Sequence, residues 1–210
     1  MVKETVWRPE SKSKYYSVLY DGGMTRRGSY AKGIAKREEI LTVALDVIAR
    51  HGYRGASVRE IADAVGLSQA GLLHYFDSRD ELLTAVLTKR DEVDAPAPAE
   101  EPFEALLRIV AHNAEVPGLV QLYAQLSIEA TDPAHPAHEY FVARYERLRS
   151  MFADGIRRAQ AAGAMRADAD PETTATAIVA AADGLQAQFL LDPSIDMAAG
   201  LRALIDGLRL

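Results

Sequence analysis

VREIADAVGLSQAGLLHYFD, residues 58–77, reads as two short helices around a turn. Val58, Ile61, Ala62 and Val65 fall on one face at helical period. Gly66 suits the left-handed backbone that ends a helix, and Ser68 is a good N-cap for the next. Leu72, Leu73 and Phe76 supply the inner face of that second helix. A small Ala62 lets the two cross closely, and a glycine-bearing three-residue turn joins them, which is the pattern of a helix-turn-helix. Left outside on the second helix are Gln69, Ala70, Gly71, His74 and Tyr75, which are small, polar or aromatic and include no acid. Such a face suits the major groove of double-stranded DNA. An ordinary helical hairpin is the competing reading.

Upstream, IAKREEILTVALDVIARH (34–51) turns Ile40, Leu41, Ala44, Leu45 and Ile48 inward on an amphipathic helix that Gly52 stops. Ser57, with Glu60 three residues on, makes a capping box for the next helix. Asp77 or Ser78 caps a further helix from Arg79 to about Val93, apolar at Leu82, Leu83, Val86 and Leu87. DAPAPAEEP (94–102) then sets three prolines in nine residues, a stiff connector and a domain boundary. Five helices are predicted beyond it, at about 103–114, 118–130, 136–162, 171–191 and 195–209. Pro117, Pro133, Pro136, Pro171 and Pro193 sit near their starts, where proline is tolerated.

No alternating run of β type appears, so the expected fold is all-α. An N-terminal three-helix helix-turn-helix domain with a connecting fourth helix spans 24–93, and a C-terminal helical bundle spans 94–210. Residues 1–23 show no sustained period and are expected to be a poorly ordered extension. MTRRGSYAKG (24–33) is a basic leader that makes Met24 an alternative start.

The 210 residues suffice for one large domain or two modest ones, and they include no cysteine. That excludes disulfides and Cys-ligated metal and fits a reducing, cytoplasmic setting. No apolar run approaches the roughly 20 residues that a membrane span requires. A net charge of −6 argues against nucleic acid only until it is divided along the chain. Residues 24–90 hold 11 Lys+Arg against 8 Asp+Glu, a net of +3, whereas 91–210 hold 9 against 19, a net of −10. A basic module joined to an acidic one points to a nucleic-acid reader carried by a domain with another task. No Gly-rich phosphate loop, nucleophile elbow or zinc-binding helix motif is present, and the acids form no catalytic pair. Neither an enzyme nor a cofactor is expected. His135 and His138 flank Pro136-Ala137, but without a nearby cysteine they read as structural rather than as metal ligands.

From Ile34 to Leu87 the chain resembles the TetR family of transcriptional regulators. The likeness is carried by the turn at Gly52-Tyr53, Ser57, Ile61-Ala62, Gly66-Leu67-Ser68, Tyr75-Phe76, and Asp80-Glu81 ahead of Leu82-Leu83. Asp183-Gly184-Leu185-Gln186 through Leu191-Asp192-Pro193 is similar to the closing helices of many such regulators. The resemblance implies a homodimer formed through the last two helices, each protomer presenting its helix-turn-helix to one half-site. It also implies a small effector inside the C-terminal helices that tilts the fourth helix and respaces the reading heads. A repressor would so be released from a two-fold operator. Recognition helices roughly 34–36 Å apart meet successive major grooves on one face of the duplex. Where the family usually has tyrosine this chain has Leu73, which removes one expected phosphate contact.

Gln69 can pair bidentately with adenine, and the small Ala70 and Gly71 let the backbone approach base edges. His74 and Tyr75 read as phosphate contacts that set register, with half-burial against the first helix as the alternative for Tyr75. Arg59 is expected to reach phosphate or a base; Ser57, Ser68 and Arg79 stand at helix starts, where phosphates dock. Arg26, Arg27 and Lys32 form an arm that enters the minor groove or tracks phosphate. For the effector, His112, Asn113, Tyr123, Tyr145, Met151 and Gln186 are polar or soft residues in apolar helices, suited to a mostly apolar cavity with few anchors. For the dimer interface, Ala181, Leu185, Phe189, Met197, Leu201, Leu204, Ile205 and Leu208 form a stripe more apolar than a free surface needs. Packing within one chain is the alternative. Two rival functions stay open: a small-molecule enzyme or carrier whose helix-turn-helix is incidental, and a DNA-binding dimer that takes no effector.

Overall fold

The computed structural model describes residues 29–97 and 100–210. These form nine helices and no strand: α1 Ser29–Gly55, α2 Val58–Ala64, α3 Gln69–Leu73, α4 Arg79–Asp94, α5 Pro102–Asn113, α6 Pro117–Glu129, α7 His138–Ala161, α8 Pro171–Leu191 and α9 Met197–Asp206. The expected extension over 1–23 and the arm residues Arg26 and Arg27 lie outside the described residues. The chain divides into two compact units, Met1–Val93 and Asp94–Leu210.

In the first unit α1 begins at Ser29 rather than Ile34, since no proline stands between them to stop it. It is interrupted at Gly52, whose φ of 74° no β-carbon tolerates easily. The capping box then opens α2: Glu60 N–H donates to Ser57 Oγ at 3.1 Å, and Ser57 N–H donates to the Glu60 carboxylate at 2.9 Å. Gly66, with φ 68°, turns the chain out of α2, and Leu67 N–H returns to Ala62 O at 2.9 Å. Lys36 reaches over from α1 and donates to Val65 O at 3.0 Å, closing that helix end.

One expectation is corrected here. The second helix of the motif ends at Leu73, so His74, Tyr75 and Phe76 leave it, although Phe76 is still buried. The reason lies just downstream. Ser78 Oγ accepts from Glu81 N–H at 3.0 Å, and the Glu81 carboxylate accepts from Asp77 N–H, which fixes the start of α4 and uses up the chain between. Arg37 covers this corner, its guanidinium 4.4 Å from the Phe76 ring centre and 3.4 Å from Glu81. Ile40, Ala44, Ile48, Ile61, Ala62, Leu72 and Leu82 make the core beneath.

In the second unit proline opens α5, α6 and α8, while Asp170 and Asp196 cap α8 and α9. Helix α8 packs on α6, α7 and α9, and α5 on α6, α7 and α9. Phe103 and Phe152 stack at 5.7 Å in a core shared with Ile156, Ile178, Phe189 and Leu201. His138 donates to Ala130 O at 2.8 Å and His135 accepts from Ala137 N–H at 3.1 Å, so both rings knit the α6–α7 turn.

Part of the apolar stripe of the last two helices, expected as a dimer seam, is buried within the chain itself. Phe189, Met197, Leu201 and Ile205 are buried in the chain's own core, and Ala181, Leu185 and Leu208 pack half-buried against it. Helix α9 lies on the apolar faces of α5 and α8 and must turn its stripe toward them. The approach is close at Gly200, where a β-carbon would stand 3.2 Å from Leu185. Of the expected seam, Leu204 is 41% exposed and Ala181, Leu185 and Leu208 keep part of their surface, with Leu191 nearby at 88%.

Candidate functional site

Two groups of residues stand out, one in each unit. In the first, Gln69 and Ala70 lie exposed at the start of α3, held there by the Ser68 cap, whose Oγ accepts from Gly71 N–H at 3.0 Å. A β-carbon at Gly71 would press within 3.2 Å of that oxygen, so glycine protects the cap. Arg59 is 82% exposed on α2, with only a loose 3.8 Å approach to Asp63. Ser57 is exposed at the start of α2, Lys32 is exposed on α1, and His74 is exposed after α3. Tyr75 is half-buried with its ring edge-on to His74 at 6.1 Å. Arg79 donates to the Tyr53 hydroxyl at 3.4 Å and stands 5.2 Å from that ring's centre. Tyr53 thereby joins the group; its signal in the sequence was its place beside the Gly52 turn.

In the second unit the expected effector residues separate into smaller sets. Asn113 donates to Gln186 at 3.5 Å, both buried, while Gln186 also donates to Ala182 O at 3.3 Å. His112 lies 3.1 Å from Glu115, and Met151 packs half-buried on the core. Tyr123 and Tyr145 do meet, and the group that joins them is Asp183. Tyr123 OH donates to Asp183 Oδ1 at 3.0 Å, and Tyr145 OH donates to Oδ2 at 2.7 Å. Arg144 donates to the Tyr123 oxygen at 3.2 Å, its guanidinium 4.9 Å from the ring centre. Phe141 lies 5.4 Å from Tyr123 and 6.0 Å from Tyr145.

Asp183 falls outside the expected set. Asp183 carried a signal, since it sits at helical spacing from Val179 and Gln186 on a face that is otherwise buried.

Burial raises the Tyr123 hydroxyl far above the usual phenol range, opposed by Arg144 and reinforced by Asp183. Burial likewise pushes Tyr145 up to about 12, the Asp183 carboxylate adding to it. The folded chain thus keeps a proton that the unfolded phenol gives up near 10, and folding stability falls as pH climbs from there through about 12. An alkaline phenolate titration of the native protein is expected to show a step near 12 that Tyr145→Phe removes. Should Tyr145→Phe instead remove absorbance from the step near the ordinary value of 10, the hydroxyl is solvated.

Among the described residues no helix is long and apolar enough to cross a membrane. Residues 40–86 match the model of bacterial regulatory proteins of the tetR family, and residues 102–196 match that of the BetI-type transcriptional repressor C-terminal domain. The HTH-type transcriptional regulator PksA of Bacillus subtilis is 28% identical over 168 residues, covering 75% of this chain and 80% of its own. The HTH-type transcriptional repressor KstR2 of Rhodococcus jostii is 31% identical over 102 residues, covering 49% of this chain and 46% of its own. Among solved structures, a TetR-family regulator from Agrobacterium tumefaciens superposes with a TM-score of 0.64 at 21% identity, over 85% of this chain and all of the other. A Saccharomonospora viridis protein described as a transcriptional regulator and solved in complex with choline reaches 0.63 at 27% identity, over 81% and 93% of the two chains. Its capped helix-turn-helix and separate helical unit, matched one by one to the two halves of the same kind of protein, place the chain in the TetR family of transcriptional regulators.

Proposed function

We propose that this regulator is a cytoplasmic homodimeric repressor, not an enzyme, that grips a two-fold operator and is released by a small molecule bound near Tyr123, Tyr145 and Asp183. One observation carries the reading. A capped helix-turn-helix with exposed Gln69 and Arg59 shares a chain with a second unit that holds a polar network among apolar helices. Partly buried polar networks are costly to assemble, and an apolar core would pack as well without one. Its natural use is recognition. The named repressor among the relatives and the choline complex among the neighbours support the same reading.

Release requires the effector to prefer the state whose reading heads are wrongly spaced. Moving a two-state balance from 1:99 to 99:1 takes roughly 5.5 kcal/mol of differential binding. For the dimer, the outward residues of α8 and α9, Ala180, Gly184, Ala187, Leu191 and Leu204, are the surface on offer.

Selecting bound duplexes from a random pool tests the DNA half of this. An inverted repeat is expected, and a lone half-site would remove the two-fold arrangement. On the selected operator, Gln69→Ala is expected to lose about 1–3 kcal/mol, the worth of a bidentate base contact, with far less lost on random duplex. Equal losses on both would take Gln69 out of base reading. Arg59→Ala should weaken binding to both and flatten the salt dependence.

A further inference from the structure

Resting on the reading of α3 as the helix that meets base edges, we infer that Lys36 and Arg37 are positioning residues for sequence reading. Neighbours on α1, they fix the two flanks of the reading segment from inside the protein rather than by contact with DNA. Lys36 Nζ donates to Val65 O at 3.0 Å and to Glu39 Oε1 at 2.9 Å. Val65 O is one of the carbonyls that a helix end leaves without a partner in its own helix, and a cation there also meets the negative end of the helix dipole. Arg37 secures the far flank, its guanidinium 4.4 Å from the centre of the buried Phe76 ring and 3.4 Å from the Glu81 carboxylate. That carboxylate in turn accepts from Asp77 N–H. Between these fixed points run Gly66-Leu67-Ser68, the five residues of α3, His74 and Tyr75, a stretch that includes the exposed Gln69 and Ala70.

A helix of five residues has too few backbone bonds to set its own direction. Leu72 seats it on the core, but a single buried side chain is a pivot about which the helix can swing. Two ties on opposite sides of that seat stop the swing, and because both come from one turn of α1 they move as one body. A bidentate base contact needs both of its hydrogen bonds in range at once, so a small swing costs discrimination between bases and leaves attraction to phosphate nearly intact. Both side chains are cations on the DNA-binding unit, yet their charges turn into the chain. The Lys36 side chain is 26% exposed against 82% for Arg59, and two of its three N–H donors are taken. The Arg37 guanidinium has an aromatic face under it and a carboxylate beside it.

Titration of the intact protein against the selected operator and a random duplex, each over a range of salt, tests this in Lys36→Met and Arg37→Met. Methionine keeps the apolar stem of either side chain and removes its charge. Each variant should lower the operator-to-random affinity ratio about tenfold, within the worth of one bidentate base contact, while random-duplex affinity and the salt slope stay native. Lys36→Arg, which keeps a donor for Val65 O, should restore the ratio. Contact with phosphate predicts the reverse: weaker binding to both duplexes, the ratio kept and the salt slope smaller by about 1. That outcome would overturn the inference. Unfolding midpoints measured alongside identify a variant that has lost its fold, and Arg37→Lys then carries the test. It keeps the charge that phosphate needs but gives up the planar face over Phe76, so its ratio should fall with random-duplex binding unchanged. A native ratio in Arg37→Lys contradicts the brace. A native protein with no preference between the duplexes removes the reading of α3 itself, whereas a selective native protein with equally selective variants overturns this inference alone.

Discussion

Leu72→Ala is expected to abolish sequence-selective DNA binding while most of the helical signal survives. Helix α3 has five residues, far below the 12–15 or so at which an isolated helix begins to hold itself in water. Its position therefore depends on what anchors it. Outside, the anchor is the Ser68 cap; inside, it is Leu72, which is 0% exposed, with Phe76 just beyond the helix end. Its neighbours in the core, Ile61 and Ala62, are fixed on a capped α2 and cannot close in on the space that a truncated side chain leaves. Leu→Ala at such a site costs about 2–5 kcal/mol. A small domain has about 5–15 kcal/mol in all, so the loss falls on a unit with little reserve. The unit from Asp94 to Leu210 has its own core around Phe103, Phe152 and Leu201 and should keep its helices. Two measurements check this. Circular dichroism should retain most of its helical amplitude with an early first melting step, and gel-shift titration should lose the distinction between operator and random duplex. Operator binding at native affinity would show that α3 is held by the cap alone.

How much of this was legible beforehand depends on how local the cause is. Proline and aspartate caps act within a turn, so the predicted starts of α5, α6 and α8 fall within a residue of those found. The stop at Gly52 and the box at Ser57 and Glu60 are equally local. The end of α3 was missed because helical spacing runs on through Phe76, while the reason for stopping lies in the Ser78 and Glu81 contacts that start α4. Periodicity states that α9 has an apolar face but not what covers it. The covering surfaces are α5 and α8, brought there by the topology of the whole unit. The Tyr123–Asp183 bond spans 60 residues of sequence, and nothing near either residue announces the other. Residue type pointed to Tyr123 and Tyr145 as soft groups in apolar helices; only the packing of three helices shows that a carboxylate unites them.

The assignment of α9 to the core has a direct consequence for two substitutions that composition alone would treat alike. Leu201→Ala should lower the stability of the second unit by about 2–5 kcal/mol, by an amount that does not depend on protein concentration. Leu201 is 0% exposed within a single chain, between Met197 and Ile205 on α9 and against the α8 face that Gly200 approaches closely. Leu191→Glu should do the opposite. At 88% exposure that side chain contributes little to its own fold, so a carboxylate there leaves the unfolding midpoint of dilute protein unchanged. In a dimer built on the outward faces of α8 and α9, it sets two charges against an apolar surface and drives the subunits apart. Association stabilises by mass action, so the native midpoint climbs with concentration and that of Leu191→Glu does not. Sedimentation and melting over a wide concentration range separate the two effects. If Leu201→Ala dissociates the protein without lowering the midpoint of dilute protein, α9 is an interface helix and the core assignment fails. If Leu191→Glu stays dimeric, the interface lies elsewhere than on the outer face of α8. Should it become monomeric, operator affinity must fall with it, because one reading head keeps its base contacts but loses the partner that places a second head in the next major groove.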